Sequence, residues 1–442
     1  MTADLRTIFA LASGAGLSGV AVIRISGPGA CGALELLTGR ECSPPRRAAR
    51  RKFVGQSGDV LDDGLVIWFP GPQSFTGEDV AELHIHGGVA TVDAVLDALA
   101  AMEGLRLAEP GEFTRRAFDN GKLDLTGVEA LSDLISAETD AQRRQALRQL
   151  DGAFGARCDD WRNRLIEVLA RLEAWIDFPE EDLPETLFSE TKHQIQDVSR
   201  ETLQYLDDQR VGERIREGLK IAILGPPNAG KSSLLNLLAG REAAIVSDQA
   251  GTTRDIIEVR CGIAGVPVTF SDSAGLRQTS DAIEEEGVRR AEALAASADF
   301  CLLLEAPDCP PVDRAGILSA SRKSEEDFLF IRNKSDINER ETGSGIRVSL
   351  RTGDYVEEFL AALEKRVEGL LPQTGSAPLT RRRHREALED CAAALGRAAE
   401  GSEIELIAED VRQAARSLGR ITGRVDVEDV LDRLFGEFCI GK

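Results

Sequence analysis

Apolar and polar positions alternate in the first part of the chain. Val80–His86 (VAELHIH) sets Ala81, Leu83 and Ile85 on one face and Glu82, His84 and His86 on the other, the period of a half-buried strand. Gly19–Ile25 (GVAVIRI) and Gly64–Phe69 (GLVIWF) are β-rich runs bounded by Gly and Pro, and Val89–Met102 has helix composition. Residues 1–118 therefore read as a mixed α/β unit. From Thr126 the period lengthens: Val128, Leu131, Leu134 and Ile135 fall on one helical face, with Thr126 the expected N-cap and Glu129 three residues on. Leu165–Ile176 and Ile195–Leu206 continue helically. Near Gly218 the α/β pattern returns with the short buried strand Lys220–Leu224 (KIAIL), and from about Arg383 the chain is helical again. Two helical segments, 119–216 and 376–442, flank an α/β stretch, 217–375. The pattern predicts an α/β unit inserted into one helical domain.

Composition changes this picture little. A chain of 442 residues exceeds one core, and 42% apolar with 29% charged residues is ordinary for a globular protein. The charge matters more. With 53 Lys+Arg against 75 Asp+Glu the net charge is −22, so a nucleic-acid partner has to be met by a local basic patch. Arg46–Lys52 and Arg381–Arg385 are the candidate runs, and each also reads as a solvated charged face. The eight cysteines (31, 42, 158, 261, 301, 309, 391, 439) include no C-x-x-C pair, and the four histidines do not join them at metal-ligand spacing, so reduced thiols are expected. Ile8–Ile25 is broken by Ser and Gly and lacks a basic leader, and no apolar run reaches the roughly 18 residues of a membrane span. A cytoplasmic protein without a membrane segment is the expectation.

The strand KIAIL runs into Gly225-Pro226-Pro227-Asn228-Ala229-Gly230-Lys231-Ser232, with Ser233–Ala239 helical after it. A glycine loop between strand and helix lets backbone N–H groups converge on phosphate oxygens. Lys231 is expected to bridge the β- and γ-phosphates and Ser232 to hold Mg²⁺. Gly251-Thr252-Thr253 then offers a switch-loop hydroxyl, Thr253, for the same ion. Strand Val266–Ser271 ends in Asp272-Ser273-Ala274-Gly275, which supplies a Mg²⁺-side carboxylate and a γ-phosphate N–H. Strand Phe328–Ile331 ends in Asn333-Lys334-Ser335-Asp336. The Asp336 carboxylate accepts from guanine N1–H and the 2-amino group, donors that adenine lacks, and such a site rejects the wrong base by roughly 10⁴. Ser349-Leu350 after Ile346–Val348 fits a fifth element. Four elements in order at strand ends read as a P-loop GTPase of Ras-like α/β fold. Where Ras-like proteins place a water-orienting Gln, this chain has Leu276. Either hydrolysis is slow, or another residue and another cation take over. The acidic run Glu284-Glu285-Glu286 offers a carboxylate, and also reads as a solvated helix N-terminus.

Over nearly its whole length the chain resembles the bacterial tRNA-modification GTPase family MnmE (TrmE). Beyond the GTPase motifs, the likeness rests on SFTGEDVAELHIHGG (Ser74–Gly88), PGEFTRRAFDNGKLDL (Pro110–Leu125), DSAGLR (Asp272–Arg277) and FCIGK (Phe438–Lys442). It implies an N-terminal α+β folate-binding and dimerising domain, a discontinuous helical domain and an inserted G domain. It implies potassium-stimulated hydrolysis in which K⁺ takes the place of an arginine finger. Asn228 matches the family's potassium asparagine. Ser247, Asp248, Gln249, Ala250, Gly251 and Thr252 match its potassium loop, with Ser247, Gln249 and Thr252 in the shell. Glu284 matches the glutamate that orients the water. Arg24, Glu82, Lys122 and Lys442 correspond to ligands of a 5-formyl-tetrahydrofolate-type donor, although Glu82, His84 and His86 also read as a plain solvated strand face. Cys439 matches a cysteine needed for modification; its segment does not fit a prenylation box, because Gly is not aliphatic and Lys is not a usual last residue. Ser273 stands where the family usually has Thr, and Pro226 is unusual in the loop.

The function implied is a GTP hydrolase, a homodimer, that works with the flavoprotein MnmG (GidA). Together they install a (carboxymethyl)aminomethyl-type group at C5 of the wobble uridine, position 34, of certain tRNAs. The competing class is a G-protein switch for ribosome assembly or signalling, which the folate-type module and FCIGK disfavour.

Overall fold

The computed structural model describes residues 6–177, 185–208, 210–240, 258–272, 291–337, 344–371, 379–425, 428–436, 438, 440 and 441. They fall into two compact units. One comprises Met1–Ser132, Gln149–Ile195 and Ala394–Lys442; the other comprises Asp133–Arg148 and Gln196–Ala393.

The first unit contains a six-stranded sheet. In chain order its strands are β1 (Thr7–Leu11), β2 (Ser18–Ser26), β3 (Ala49–Val54), β4 (Val60–Phe69), β5 (Val80–Gly87) and β6 (Leu105–Leu107), arranged β3-β4-β5-β2-β1-β6. All pairs are antiparallel except β1–β6. The alternation expected in β5 holds: Ala81, Leu83 and Ile85 are buried with Ile23, Ile25 and Phe53, and His86 is exposed. Leu34 and Leu37 of helix Ala30–Thr38 and Val95 and Leu99 of helix Val89–Ala100 cover this core.

The helical part of this unit packs Trp161, Leu165, Val168 and Leu172 of helix Ala153–Asp177 beside Ile407, Val411, Leu418 and Ile421 of helix Ile404–Thr422. The expected cap of helix Leu125–Ile135 is corrected. Asp124, not Thr126, is the N-cap: its Oδ1 accepts from Gly127 N–H (2.7 Å) and from the Thr126 hydroxyl (2.8 Å). Gly155 lets helix Ala153–Asp177 come close, since a methyl there would lie 2.1 Å from Asp124 Oδ2.

The expectation of uniformly reduced thiols is corrected as well. Cys31 and Cys42 are joined in a disulfide, because the helix holding Cys31 reverses at Gly39 (φ 63°) and returns Cys42 beside it. Cys158, Cys261, Cys301, Cys309 and Cys391 are thiols outside any disulfide.

The second unit holds the inserted α/β fold. Its strands are β7 (Leu219–Leu224), β8 (Glu258–Ile263), β9 (Val266–Asp272), β10 (Phe300–Glu305), β11 (Phe328–Arg332) and β12 (Ile346–Arg347), arranged β12-β11-β10-β7-β9-β8. Every pair is parallel except β8–β9. A parallel sheet covered on both faces needs continuous apolar runs. Leu219, Ile221 and Ile223 of β7 pack with Leu234, Leu235 and Leu238 of helix Lys231–Ala239 and with Phe359, Leu363 and Val367 of helix Val356–Gly369. On the other face Ala222 and Leu224 pack with Ala295, Cys301 and Leu303. β8 and β10 were not apparent from the sequence pattern.

Among the described residues no helix is long and apolar enough to cross a membrane.

Candidate functional site

The candidate nucleotide site is built on the end of β7. At Gly225 the backbone turns through φ 142°, and a methyl there would lie 2.4 Å from Leu304 O, so only glycine fits. Asn228 (φ 64°) and Gly230 (φ 106°) are also left-handed, and Asn is one of the few side chains that tolerates this. Helix Lys231–Ala239 starts at once, aiming its unbonded N–H groups into the loop. Lys231 is 6% exposed, and its Nζ donates to Gly225 O (2.7 Å) and Pro226 O (3.0 Å). Burial pushes its pKa down, with the Asp272 carboxylate opposing. Pro226 is no obstacle here, because the loop uses only its carbonyl, which accepts from Lys231 and from Ala229 N–H. Asp272 is buried at the end of β9, while Ser232, Ser233 and the Asn228 side chain are exposed.

Asn333 joins the phosphate side to the base side. Its Nδ2 donates to Ala229 O (2.7 Å), and its Oδ1 accepts from Leu350 N–H (3.2 Å). Ser335 N–H donates to Val348 O (3.2 Å). Asp336 Oδ1 accepts from the buried Ser349 hydroxyl (2.7 Å), and Arg351 pairs with Oδ2. The Ser349 hydrogen bond, helped by Arg351 and opposed by partial desolvation, holds this carboxyl below its ordinary pKa. Lys334 (φ 61°) pairs with Asp308 at 2.6 Å. Asp308 was missed from the sequence because it belongs to no motif and acts through Lys334, and Arg351, although it lies in the fifth element SLRTG, was not singled out because its partner Asp336 stands in a separate motif. Ser247, Asp248, Gln249, Ala250, Gly251, Thr252, Thr253, Ser273, Ala274, Gly275 and Glu284 lie outside the described residues.

In the N-terminal sheet, Arg24 of β2 faces Glu82 of β5 across the strand pair. Their side chains meet, with Arg24 Nε and Nη2 donating to Glu82 Oε1 at 3.1 and 2.9 Å. The Arg24 guanidinium lies over Phe75 (5.3 Å to the ring centre) and Phe113 (5.8 Å). His84 Nε2 is 3.5 Å from Glu82 Oε2 without hydrogen-bond geometry, and is buried with no hydrogen-bond partner. Lys122 Nζ donates to Pro72 O (2.9 Å) and Asn120 Nδ2 to Thr76 O (2.7 Å), fixing the loop that carries Phe75.

Behind this face sequence reasoning missed a buried network. Arg116 donates to Glu78 (3.0 Å) and Glu112 (3.1 Å), and Arg106 to Glu112 (2.7 Å). Burial raises the Glu112 pKa, but these hydrogen bonds outweigh it and leave the carboxyl below its usual range. Of FCIGK, Cys439 and Lys442 lie outside the described residues. Ile440 bridges to Pro110, and Gly441 backs onto β1, where a methyl would lie 2.0 Å from Leu11 O.

One candidate basic run is corrected. Arg385 is 6% exposed and pairs with Asp208 and Glu213 at 2.6 Å, and Arg381 pairs with Asp133 at 2.7 Å. These arginines hold the fold, and removing Arg385 would strand two carboxylates at a cost of about 3–5 kcal/mol. Arg46 and Arg47 of the other run stay exposed.

Comparison with known proteins covers almost the whole chain. Residues 7–122 match the family model described as GTP-binding protein TrmE N-terminus, and residues 125–439 match the MnmE helical domain. A tRNA modification GTPase MnmE of Parvibaculum lavamentivorans is 53% identical over 443 residues, 99% of this chain and 100% of that protein. Those of Paramagnetospirillum magneticum and Rhodospirillum rubrum are 54% identical (99% of each chain) and 51% identical (100% of each chain). Among solved structures, the G domain of the T. maritima FeoB iron transporter is 22% identical over 35% of this chain and 99% of that chain, with a TM-score of 0.26. Identity at this level, sustained from the N-terminal sheet through the helical segments, means that the chain belongs to the MnmE family of GTPases.

Proposed function

We propose that this GTP hydrolase acts in tRNA modification through potassium-stimulated turnover. With a flavoprotein partner of the MnmG (GidA) type, it would install a (carboxymethyl)aminomethyl-type group at C5 of uridine 34, using a folate one-carbon donor. The observation that carries the reading is the cradle around Asn333, which couples the phosphate loop to the base-reading segment within one buried set of hydrogen bonds. The relatives named tRNA modification GTPase support the substrate class.

Ser232 at the helix start, Asp272 at the end of β9 and Thr253 would hold Mg²⁺, which neutralises charge on the phosphates. Asn228, with its side chain exposed at the loop rim, would hold K⁺ together with Ser247, Gln249 and Thr252, supplying the positive charge of an arginine finger. Lys231 cradles the β- and γ-phosphates, Asp336 reads the base, and Glu284 orients the water in place of the missing Gln. In the N-terminal domain, Glu82 accepts from a pterin's paired N–H donors and Arg24, Lys122 and Lys442 meet carboxylates. The unsatisfied His84 Nε2 beside Glu82 supports a polar ligand on this face. The reading takes 1–118 as the folate and dimerisation domain, 119–216 and 376–442 as the helical domain, 217–375 as the G domain, and the protein as a cytoplasmic homodimer.

The test is cation dependence. Hydrolysis should be slow in Na⁺ and rise in K⁺ toward the roughly 10³-fold or more that an arginine finger supplies. Asn228→Ala should flatten the difference while sparing nucleotide binding. Equal rates in the two salts remove the potassium reading.

A further inference from the structure

Three side chains of the N-terminal unit converge beside helix Ala30–Thr38. Cys31 and Glu35 are four residues apart, so they share a helix face. The left-handed turn at Gly39, whose N–H donates to Glu35 O (2.8 Å), brings the chain back. Cys42 then arrives with its N–H donating to Glu35 Oε1 (3.2 Å), and Cys31 Sγ lies 3.8 Å from the same oxygen. One sulfur or oxygen atom from each of the three residues lies within 4.8 Å of the other two. Cys31 and Cys42 are partly exposed and Glu35 is exposed, so solutes reach the site.

We propose that, once its disulfide is reduced, this triad is a binding site for a thiophilic divalent cation of the zinc type. Two thiolates and one carboxylate leave a fourth tetrahedral position for water. Zinc–sulfur bonds of about 2.3 Å place two thiolates roughly 3.8 Å apart in a tetrahedral site, a separation that side-chain rotation reaches from a Cα–Cα distance of 6.2 Å. Sulfur ligands select this ion over Mg²⁺ or K⁺, so the site is chemically separate from the nucleotide site. Joined as a disulfide, the two sulfurs offer no thiolate. Reduction by a dithiol delivers two electrons and two protons to the sulfurs, and the dithiol leaves as its cyclic disulfide. Metal binding then releases both thiol protons to solvent. Competing thiols are poorer ligands: burial pushes Cys301 up to about 11 and Cys391 up to about 12.

The experiment uses the full chain, reduced with a dithiol, freed of it without oxygen, and titrated with Co²⁺ alone. A sulfur-to-cobalt charge-transfer band in the near ultraviolet is expected. It should saturate at a single equivalent, bleach on adding Zn²⁺, and be absent from the oxidised chain. Cys31→Ser and Cys42→Ser should each remove it. Glu35→Gln should weaken binding by roughly tenfold or more, since even changes one shell further out do so. GTP turnover and melting temperature of the variants, unchanged, show that they fold. Independently, Zn²⁺ should shield two thiols of the reduced chain from maleimide. No band in the reduced chain, a band that persists in the Cys31→Ser/Cys42→Ser double variant, or equal labelling with and without Zn²⁺ overturns the site.

Discussion

The nucleotide cradle and the Arg24–Glu82 face are both polar sites on sheets, yet they are held in opposite ways. In the cradle, Lys231 and Asn333 bond to backbone carbonyls, and Asp336 leans on the buried hydroxyl of Ser349. On the N-terminal face Arg24 and Glu82 hold one another, side chain to side chain, with both partly exposed. Backbone partners fix a group before the ligand arrives, so little ordering is left for binding to supply. A mutual ion pair keeps two charges satisfied and lets a ligand with complementary donors and acids take over their bonds. The first arrangement suits a ligand met by a prepared site, the second a ligand that has to displace an existing ion pair.

The same chemical change made in both places tests this contrast. Asp336→Asn replaces a carboxylate with an amide beside the buried Ser349 hydroxyl and Arg351, so GTP affinity should fall by roughly 10⁴, with xanthosine nucleotides now preferred. Equilibrium binding of labelled nucleotides measures it, and equal GTP affinity in mutant and parent refutes the role of Asp336. Lys231→Ala should cost about 10²–10³ in GTP turnover, the scale of one preorganised donor, and should abolish modification with it. Glu82→Gln, the matching change in the sheet, should weaken 5-formyl-tetrahydrofolate by only roughly 10- to 100-fold, the worth of one charge-assisted bond. Calorimetry decides this, and a loss as large as that at Asp336 breaks the comparison. The smallest effect on GTP turnover belongs to Cys439→Ser. It should leave potassium-stimulated turnover near the parent value while tRNA from cells carrying it loses the modified uridine. Persistence of the modification in such tRNA makes Cys439 a bystander.

The two sites also differ in how far the sequence disclosed them. The phosphate loop is contiguous, and its chemistry requires glycines at fixed spacing, so Gly225 to Ser232 could be read directly. The two-faced pattern of β5 was equally open, because one side of that strand is buried. β10 was missed because Phe300–Leu304 is apolar throughout, following an Ala-rich stretch, and periodicity cannot tell such a run from a buried helix. The partners of Arg381 and Arg385 lie far away in sequence, at Asp133, Asp208 and Glu213. A cluster of like charges looks solvated until the fold supplies its opposites. Asp124 was passed over as a cap because Thr126 fitted the capping pattern. The disulfide depended on the turn at Gly39, which no cysteine spacing announces.

The bond from Asn333 to Ala229 has a consequence for how this protein can vary over time. A methyl at Gly230 would lie 2.1 Å from Asn333 Nδ2. Position 230 therefore cannot accept even alanine while Asn333 stays where it is, and Asn333 cannot move without releasing both the phosphate loop and Leu350. Two residues 103 apart in the chain thus form a single inherited unit. A lineage that loses one gains nothing by keeping the other, so neutral drift is expected to pass around this pair and accumulate elsewhere.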